Sequence, residues 1–225
     1  MKKKGWLKAK NVQPRLNFAQ LFHDRPKSFC WRILWSDETC VWASPQNKMV
    51  KFWTRSGSRN HEELPYNEQV HSGGFKVMFW GCFSGYGWGP LIPLPNGTIK
   101  AANYKRILCE VVVPYLIKLE AEHGVDMIFM QDNCAVHTAN ECIAFLDETG
   151  FEVMDWPAQS PDLNPIENVW ARLKTEFRKR HGPVTDRDDL INKILEIWNE
   201  FQLEYAKKQA ESFTDRLKAC IMKKG

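Results

Sequence analysis

Three acidic residues stand where the chain changes conformation. Asp37 closes the β-rich run 30–36, Asp132 follows directly on the apolar run Met127–Gln131, and Glu167 opens the segment after a Pro-rich stretch at 157–165. Open α/β sheets place ligands at the carboxyl ends of their strands. A right-handed crossover between the second and third acids would bring all three to one edge. Such an oxygen-rich, negatively charged cluster suits Mg²⁺ or Mn²⁺. Two of these ions, roughly 3.5–4 Å apart, activate a water or a 3′ hydroxyl on one side of a phosphodiester and stabilise the leaving oxygen on the other. Ser36, Glu38, Gln131 and Asn133 are polar neighbours suited to orienting carboxylates or bound waters. Each acid also has a structural reading. Asp37 and Asp132 fit strand-end turns. Glu167 fits the N3 place of a capping box, with Asn164 as N-cap and Pro165 as the first helical residue. Spacing alone does not separate these readings.

The elements that must position the acids follow from periodicity. Leu16, Phe18, Leu21 and Phe22 predict a short helix over 13–24. Residues 30–54 predict two or three antiparallel strands with a turn at Pro45–Asn47, and residues 55–74 a long loop. Phe75–Ser84 reads as a strand, and the Gly/Pro-rich stretch 85–95 as turns. Tyr104, Ile107, Leu108, Val111, Val112, Tyr115 and Leu116 recur at helical spacing over 101–123. Met127–Gln131 reads as a buried parallel strand. Thr138 and Glu141 form a capping-box pattern for a helix ending near Gly150, and Phe151–Trp156 is a further strand. Ile166, Val169, Trp170, Leu173 and Phe177 mark a helix stopped by Gly182 and Pro183; Leu190, Ile191, Ile194, Leu195, Trp198 and Phe201 mark another, and a last helix follows. The order predicts an α/β fold, a mixed five-stranded sheet flanked by helices. The expected divisions are a basic linker and short helix over 1–29, the main domain over 30–206 and a helical tail over 207–225.

Composition narrows the chemistry further. The chain has 225 residues and a net charge of +4, but its first 29 residues hold eight Lys/Arg against the single acid Asp24. A basic arm on a mildly acidic body suits a polyanion, because neutralised phosphates release condensed counterions; a solubilising tail is the alternative. On the helix after Glu167, Arg172, Lys174 and Arg178 offer a second basic stripe, to be weighed against an ordinary solvated face. Seven cysteines occur singly, without zinc-ligand spacing, and read as mostly buried thiols. No run of apolar residues is long enough for a membrane span and no secretory signal is recognisable, so an intracellular protein is expected. Trp80, Trp170 and Trp198 sit in apolar patterns and belong in the core.

The text around the acids is specific. Trp35-Ser36-Asp37-Glu38, Val77 to Ser84, Gln131-Asp132-Asn133 with His137, and Ser160-Pro161-Asp162-Leu163-Asn164-Pro165-Ile166-Glu167-Asn168-Val169-Trp170 together resemble the catalytic domain of the Tc/mariner superfamily of DNA transposases. The 34 residues between Asp132 and Glu167 resemble its Asp-Asp-Glu branch. The resemblance implies an RNase H-like fold, two Mg²⁺ or Mn²⁺ ions, and double-strand cleavage at element ends followed by insertion at TA targets, carried out by a homodimer on DNA. It assigns Asp37, Asp132 and Glu167 as catalytic metal ligands, with Asn133, His137, Asp162, Asn164 and Asn168 in support. His137 read by itself is a structural hydrogen-bonder. Lys2, Lys3, Lys4, Lys8, Lys10, Arg172, Lys174 and Arg178 are the expected phosphate contacts, and the nucleus is the expected location in a eukaryotic host. The chain begins in what resembles the linker after the family's paired helix-turn-helix units, so weak, sequence-independent DNA binding is expected. Two rivals remain: a non-catalytic DNA-binding or assembly protein derived from a transposase, against which the three intact acids argue, and a hybrid-cleaving RNase H-like nuclease, which the Ser160–Pro165 block disfavours.

Overall fold

Alternation along the strands makes the core two-sided. In a computed structural model that describes residues 7–43, 75–97, 99–181 and 184–225, a sheet of five strands is ordered β3-β2-β1-β4-β5 among the described residues. These are β1 (Ile33–Ala43), β2 (Phe75–Ser84), β3 (Gly87–Pro93), β4 (Ile128–Met130) and β5 (Glu152–Val153). Successive side chains point to opposite faces. Ile33, Trp35, Phe79, Phe83 and Met130 enter one cluster, and Leu34, Trp80, Cys82 and Phe129 enter the other. Both faces are therefore covered by helices. The first is packed by α1 (Ala9–Phe22), α6 (Ile166–Arg180), α7 (Arg187–Asn199) and α8 (Leu203–Met222). The second is packed by α3 (Ala101–Ile107), α4 (Val113–His123) and α5 (Asn140–Thr149), while the short α2 (Lys27–Trp31) leads into β1. Trp80, Trp170 and Trp198 are buried as expected.

Several expectations shift. Asp37 is not at a strand end. β1 pairs antiparallel with β2 from Trp35 to Ala43, so Asp37 lies within the strand, two residues past the last parallel pair with β4, Trp35 with Met130. The Gly/Pro-rich stretch read as turns is strand β3, tolerated because an edge strand can lose donors to proline. Helix α5 starts at Asn140 with Ala139 as N-cap, because the Thr138 hydroxyl donates back to the Cys134 carbonyl at 3.2 Å and no capping box forms. The segment 101–123 is helical, but a wider π turn at Leu108–Val112 precedes Pro114, and the N–H of Val113 reaches back to the carbonyl of Leu108. The first helix spans Ala9–Phe22, earlier than expected, and strand β5 is only two residues. The Pro45–Asn47 turn, the strand ending at Trp53, the loop 55–74, the Gly182-Pro183 stop and Lys2, Lys3 and Lys4 lie outside the described residues.

One glycine sets how closely α6 approaches the sheet. Gly81 is the register partner of Asp37. A Cβ there would meet Leu91 Cδ1 and Trp170 Cη2 at 2.8 Å. Trp170 is held from behind by stacking on Trp198 at 5.5 Å between centroids, so the indole has little room to retreat. Gly81→Ala is therefore expected to destabilise the fold by about 1–3 kcal/mol, the usual cost of overpacking. Urea unfolding measures this, and an unchanged midpoint would show that α6 is not seated on this contact.

Candidate active site

The three acids come from three elements tied to one another by side-chain hydrogen bonds, those of Ser36 and Asn164 buried. The Ser36 hydroxyl donates to the Met130 carbonyl at 2.7 Å, fastening β1 to β4. The Asn164 amide donates to the Ser36 carbonyl at 3.2 Å, fastening the approach to α6 onto β1 beside Asp37. The Asn133 amide donates to the Trp156 carbonyl at 2.6 Å, joining the end of β4 to the loop after β5. Asn168 donates to Gln209 at 3.1 Å and anchors α6 on α8. The expected supporting residues Asn133, Asn164 and Asn168 thus hold the frame. Asp162 does so as well, through a two-pronged ion pair with Arg15 at 2.8 and 2.7 Å.

Asp37 shares a sheet face with Trp35 and Val41, the face covered by α6. Burial first, then the charges of Glu38, Glu167 and Asp132, push its carboxyl up to about 7, against the help of the Glu38 N–H at 2.7 Å. The fields of Asp132 and Glu167 therefore reach Asp37. Asp132 takes two donors on one oxygen, the Cys134 N–H at 2.9 Å and His137 Nδ1 at 2.8 Å, and the His137 bond holds its carboxyl below the usual range. The Cys134 bond is an Asx turn, so the turn reading of Asp132 holds alongside the chemical one. His137 is buried, and its Nε2 faces Glu38 Oε1 at 3.2 Å. Only a doubly protonated ring donates to both carboxylates. Burial alone would lower its pKa, but the bonds and charges of Asp132 and Glu38 raise it to about 10. The Tyr104 ring lies 4.0 Å from the imidazole, centroid to centroid, and its hydroxyl donates to Gln131 Oε1 at 2.7 Å. Glu38 and Tyr104 complete this cluster. Glu38 was visible only as a polar neighbour, and Tyr104 only as one more apolar position of its helix.

Glu167 is not a capping residue. The backbone N–H that a capping glutamate would accept, that of Asn164, donates instead to the Pro161 carbonyl at 3.1 Å, and Glu167 is exposed. Although the residue is exposed overall, partial desolvation of its carboxyl raises its pKa, opposed by the charges of Lys174 and Arg216. Lys174 is lowered by burial and held up by Glu167, Cys40 and Asp37, so this lysine faces the acids. Arg178 is exposed, with Nη2 3.4 Å from the Thr175 hydroxyl. Arg172 lies over the Tyr205 ring at 4.1 Å. Lys8 and Lys10 are exposed at the start of α1.

Among the described residues, no three His, Cys, Asp or Glu side chains stand close enough to hold a metal ion as they are. An all-oxygen donor set, in which the charges of Glu167 and Asp132 raise the proton affinity of Asp37, fits a hard divalent cation. A cavity of about 790 Å³ flanks the Glu38 and His137 side, with Phe75, Met78 and Val136 in its walls and none of the three acids.

Comparison with known proteins places these features. The family model for DDE superfamily endonucleases matches residues 32–191. The chain is 28% identical over 223 residues to the transposable element Tc1 transposase of Caenorhabditis elegans, covering 97% of this chain and 78% of that protein. It is 30% identical over 241 residues to the Tcb1 transposase of Caenorhabditis briggsae, covering 96% and 86%. The catalytic domain of the Mos1 mariner transposase superposes with a TM-score of 0.75 at 20% identity, over 97% of this chain and 96% of that one. A pre-cleavage Mos1 transpososome chain gives 0.77 at 22% identity, over 100% and 67%. The sheet and its two helical layers are thus the RNase H-like fold expected from the sequence.

The site makes metal-free stability depend on pH in a definite direction. Asp37 has a folded pKa of about 7 against an ordinary 3.8, so its contribution is full below the ordinary value and lost as pH rises through 7. His137, raised to about 10 from 6.5, contributes fully below 6.5 and loses that stability toward 10. Both slopes have one sign. With chelator present, the melting temperature should fall from pH 5 to pH 9, and Asp37→Asn should flatten the part below about pH 7. A wild-type melting temperature that rises across this range would overturn the electrostatic description.

Proposed function

The chain belongs to the DDE superfamily endonuclease family and is a transposase catalytic domain of the Tc1/mariner kind, and we propose that Asp37, Asp132 and Glu167 are its catalytic acids. One observation carries this reading: Asn164, three residues before Glu167, is bonded to the Ser36 carbonyl beside Asp37, and the Ser36 hydroxyl is bonded to the Met130 carbonyl two residues before Asp132. The loss of the capping explanation for Glu167 supports it. These acids would hold two Mg²⁺ or Mn²⁺ ions, which when bound supply a cation on each side of the scissile phosphate. Structures of the Mos1 catalytic domain carry Mn or Mg, and others of that protein are paired-end and strand-transfer complexes.

The chain's own groups prepare the site. His137, fixed between Glu38 and Asp132, turns one oxygen of Asp132 inward to itself and fixes the orientation of the carboxylate. Ser36 and Asn164 fix Asp37 relative to α6. Lys174 sets a positive charge beside Glu167, suited to drawing in a phosphate next to the acids. Lys2, Lys3, Lys4, Lys8 and Lys10, with Arg172 and Arg178, are proposed to follow the duplex backbone. Double-stranded element ends and TA targets are the proposed substrates, the working form a homodimer on DNA, and the nucleus its place in a eukaryotic host.

Glu167→Gln removes one charge and keeps the shape. Mn²⁺-dependent cleavage of an element-end duplex and its joining to a TA-containing plasmid should fall by orders of magnitude, while the chelator-treated melting temperature stays the same or rises slightly as repulsion eases. Near-normal cleavage would remove Glu167 from the catalytic set. A wild-type protein that binds duplex without cutting it would favour an assembly role.

DNA binding should be governed by salt. Replacing Lys2, Lys3 and Lys4 together by Ser should lower the slope of log affinity against log salt by up to about 0.9 for each phosphate contact removed. Tight binding to one sequence, insensitive to salt, would contradict the proposed contacts.

A further inference from the structure

We infer that Arg15 is a positioning residue for Glu167, acting through Asp162 to set where helix α6 begins, an inference that rests on reading Glu167 as a catalytic acid. Arg15 lies on α1, far from the acids in sequence, and is 3% exposed. Its two terminal nitrogens meet the two carboxylate oxygens of Asp162 at 2.8 and 2.7 Å, and Nη1 also donates to the Gln159 carbonyl at 3.2 Å. Gln159 is a non-glycine residue at a φ of 57°, a conformation that persists only where its surroundings hold it. Those surroundings also belong to α1: the Gln159 side-chain oxygen accepts from Asn11 Nδ2 at 2.7 Å and from the Lys8 N–H at 3.2 Å. From the opposite side, Arg216 of α8 donates to the Asp162 carbonyl at 2.7 Å. The loop is gripped from two helices.

What the grip controls lies a few residues on. Asp162 is in the 3-10 turn Pro161–Leu163, whose end is Asn164. Asn164 holds the Ser36 carbonyl beside Asp37, and its side-chain oxygen accepts the Ile166 N–H at 3.3 Å at the start of α6. Glu167 follows directly. Apolar contacts already fasten α1 to the domain through Phe18 and Ala19, so a buried guanidinium is not needed for docking and is a costly way to achieve it. Its planar fork instead fixes both the distance and the angle of one carboxylate. The basic arm ending at Lys10 is thereby joined to the loop that carries Glu167.

The test is Mn²⁺ binding by calorimetric titration of the whole chain, with folding checked by near-ultraviolet circular dichroism. Arg15→Gln should weaken Mn²⁺ binding about tenfold, the lower end of what is lost when a ligand's support is removed. Asp162→Asn should do the same, and the double variant little more, because both break one link. Arg15→Lys keeps the charge without the fork and should fall between; it and Asp162→Asn carry the test if Arg15→Gln does not fold. A lower melting temperature with wild-type Mn²⁺ affinity in these variants would overturn the inference and leave Arg15 a structural anchor. If wild-type protein does not bind Mn²⁺, or Asp132→Asn still binds it as wild type does, the reading of the acids fails and this inference with it.

Discussion

Carboxylates repel one another, and a fold that brings three of them together must hold them against that repulsion. Here the holding is done by backbone ties more than by counter-charges. Ser36, Asn133 and Asn164 each bond to a carbonyl of another segment, so the acid-bearing elements are fixed whatever the charge on the acids. The cost is still visible. Asp37 has its proton affinity raised by burial and by its neighbours, and among the described residues no three such side chains form a group that could hold an ion as they are. A site of this kind is less stable without its cation than with it, which couples metal binding to stability as well as to chemistry.

The two sides of the sheet divide this labour. On one face, α6 carries Glu167 down toward Asp37, and its depth is set by Trp170 lying across Gly81. On the other, Glu38 and Asp132 share the buried ring of His137, with Tyr104 against it. Adjacent residues on one strand thus serve opposite layers: Asp37 faces the acid on α6, and Glu38 faces the histidine. A strand buried on both faces allows this because its side chains alternate.

The ends of the chain are built into the same frame. Helix α1 meets the loop before α6 through Arg15, and α8 meets it through Arg216. Phe18 and Phe213 pack against Trp156, the residue whose carbonyl Asn133 holds. Segments that carry none of the acids therefore border every tie that orders them.

The sequence by itself determined the helical layers, the buried tryptophans and the family to which the chain belongs, since periodicity and local motifs depend on residues near one another in the chain. It also suggested that Asn164 and Asn168 belong to the site. It left two readings of Glu167 open, because a capping glutamate and a ligand glutamate occupy the same place in a helix. Only the tertiary structure removed the capping reading, through the hydrogen bond by which Asn164 gives its N–H to Pro161. Likewise, strand β3 was hidden under glycines and prolines whose local signal is a turn, and it becomes a strand because the edge of β2 supplies its partners. In the sequence Arg15 is one of the eight basic residues among the first 29 and nothing sets it apart from the others. Its burial against Asp162 joins residues nearly 150 positions apart, and no local pattern encodes a contact at that separation.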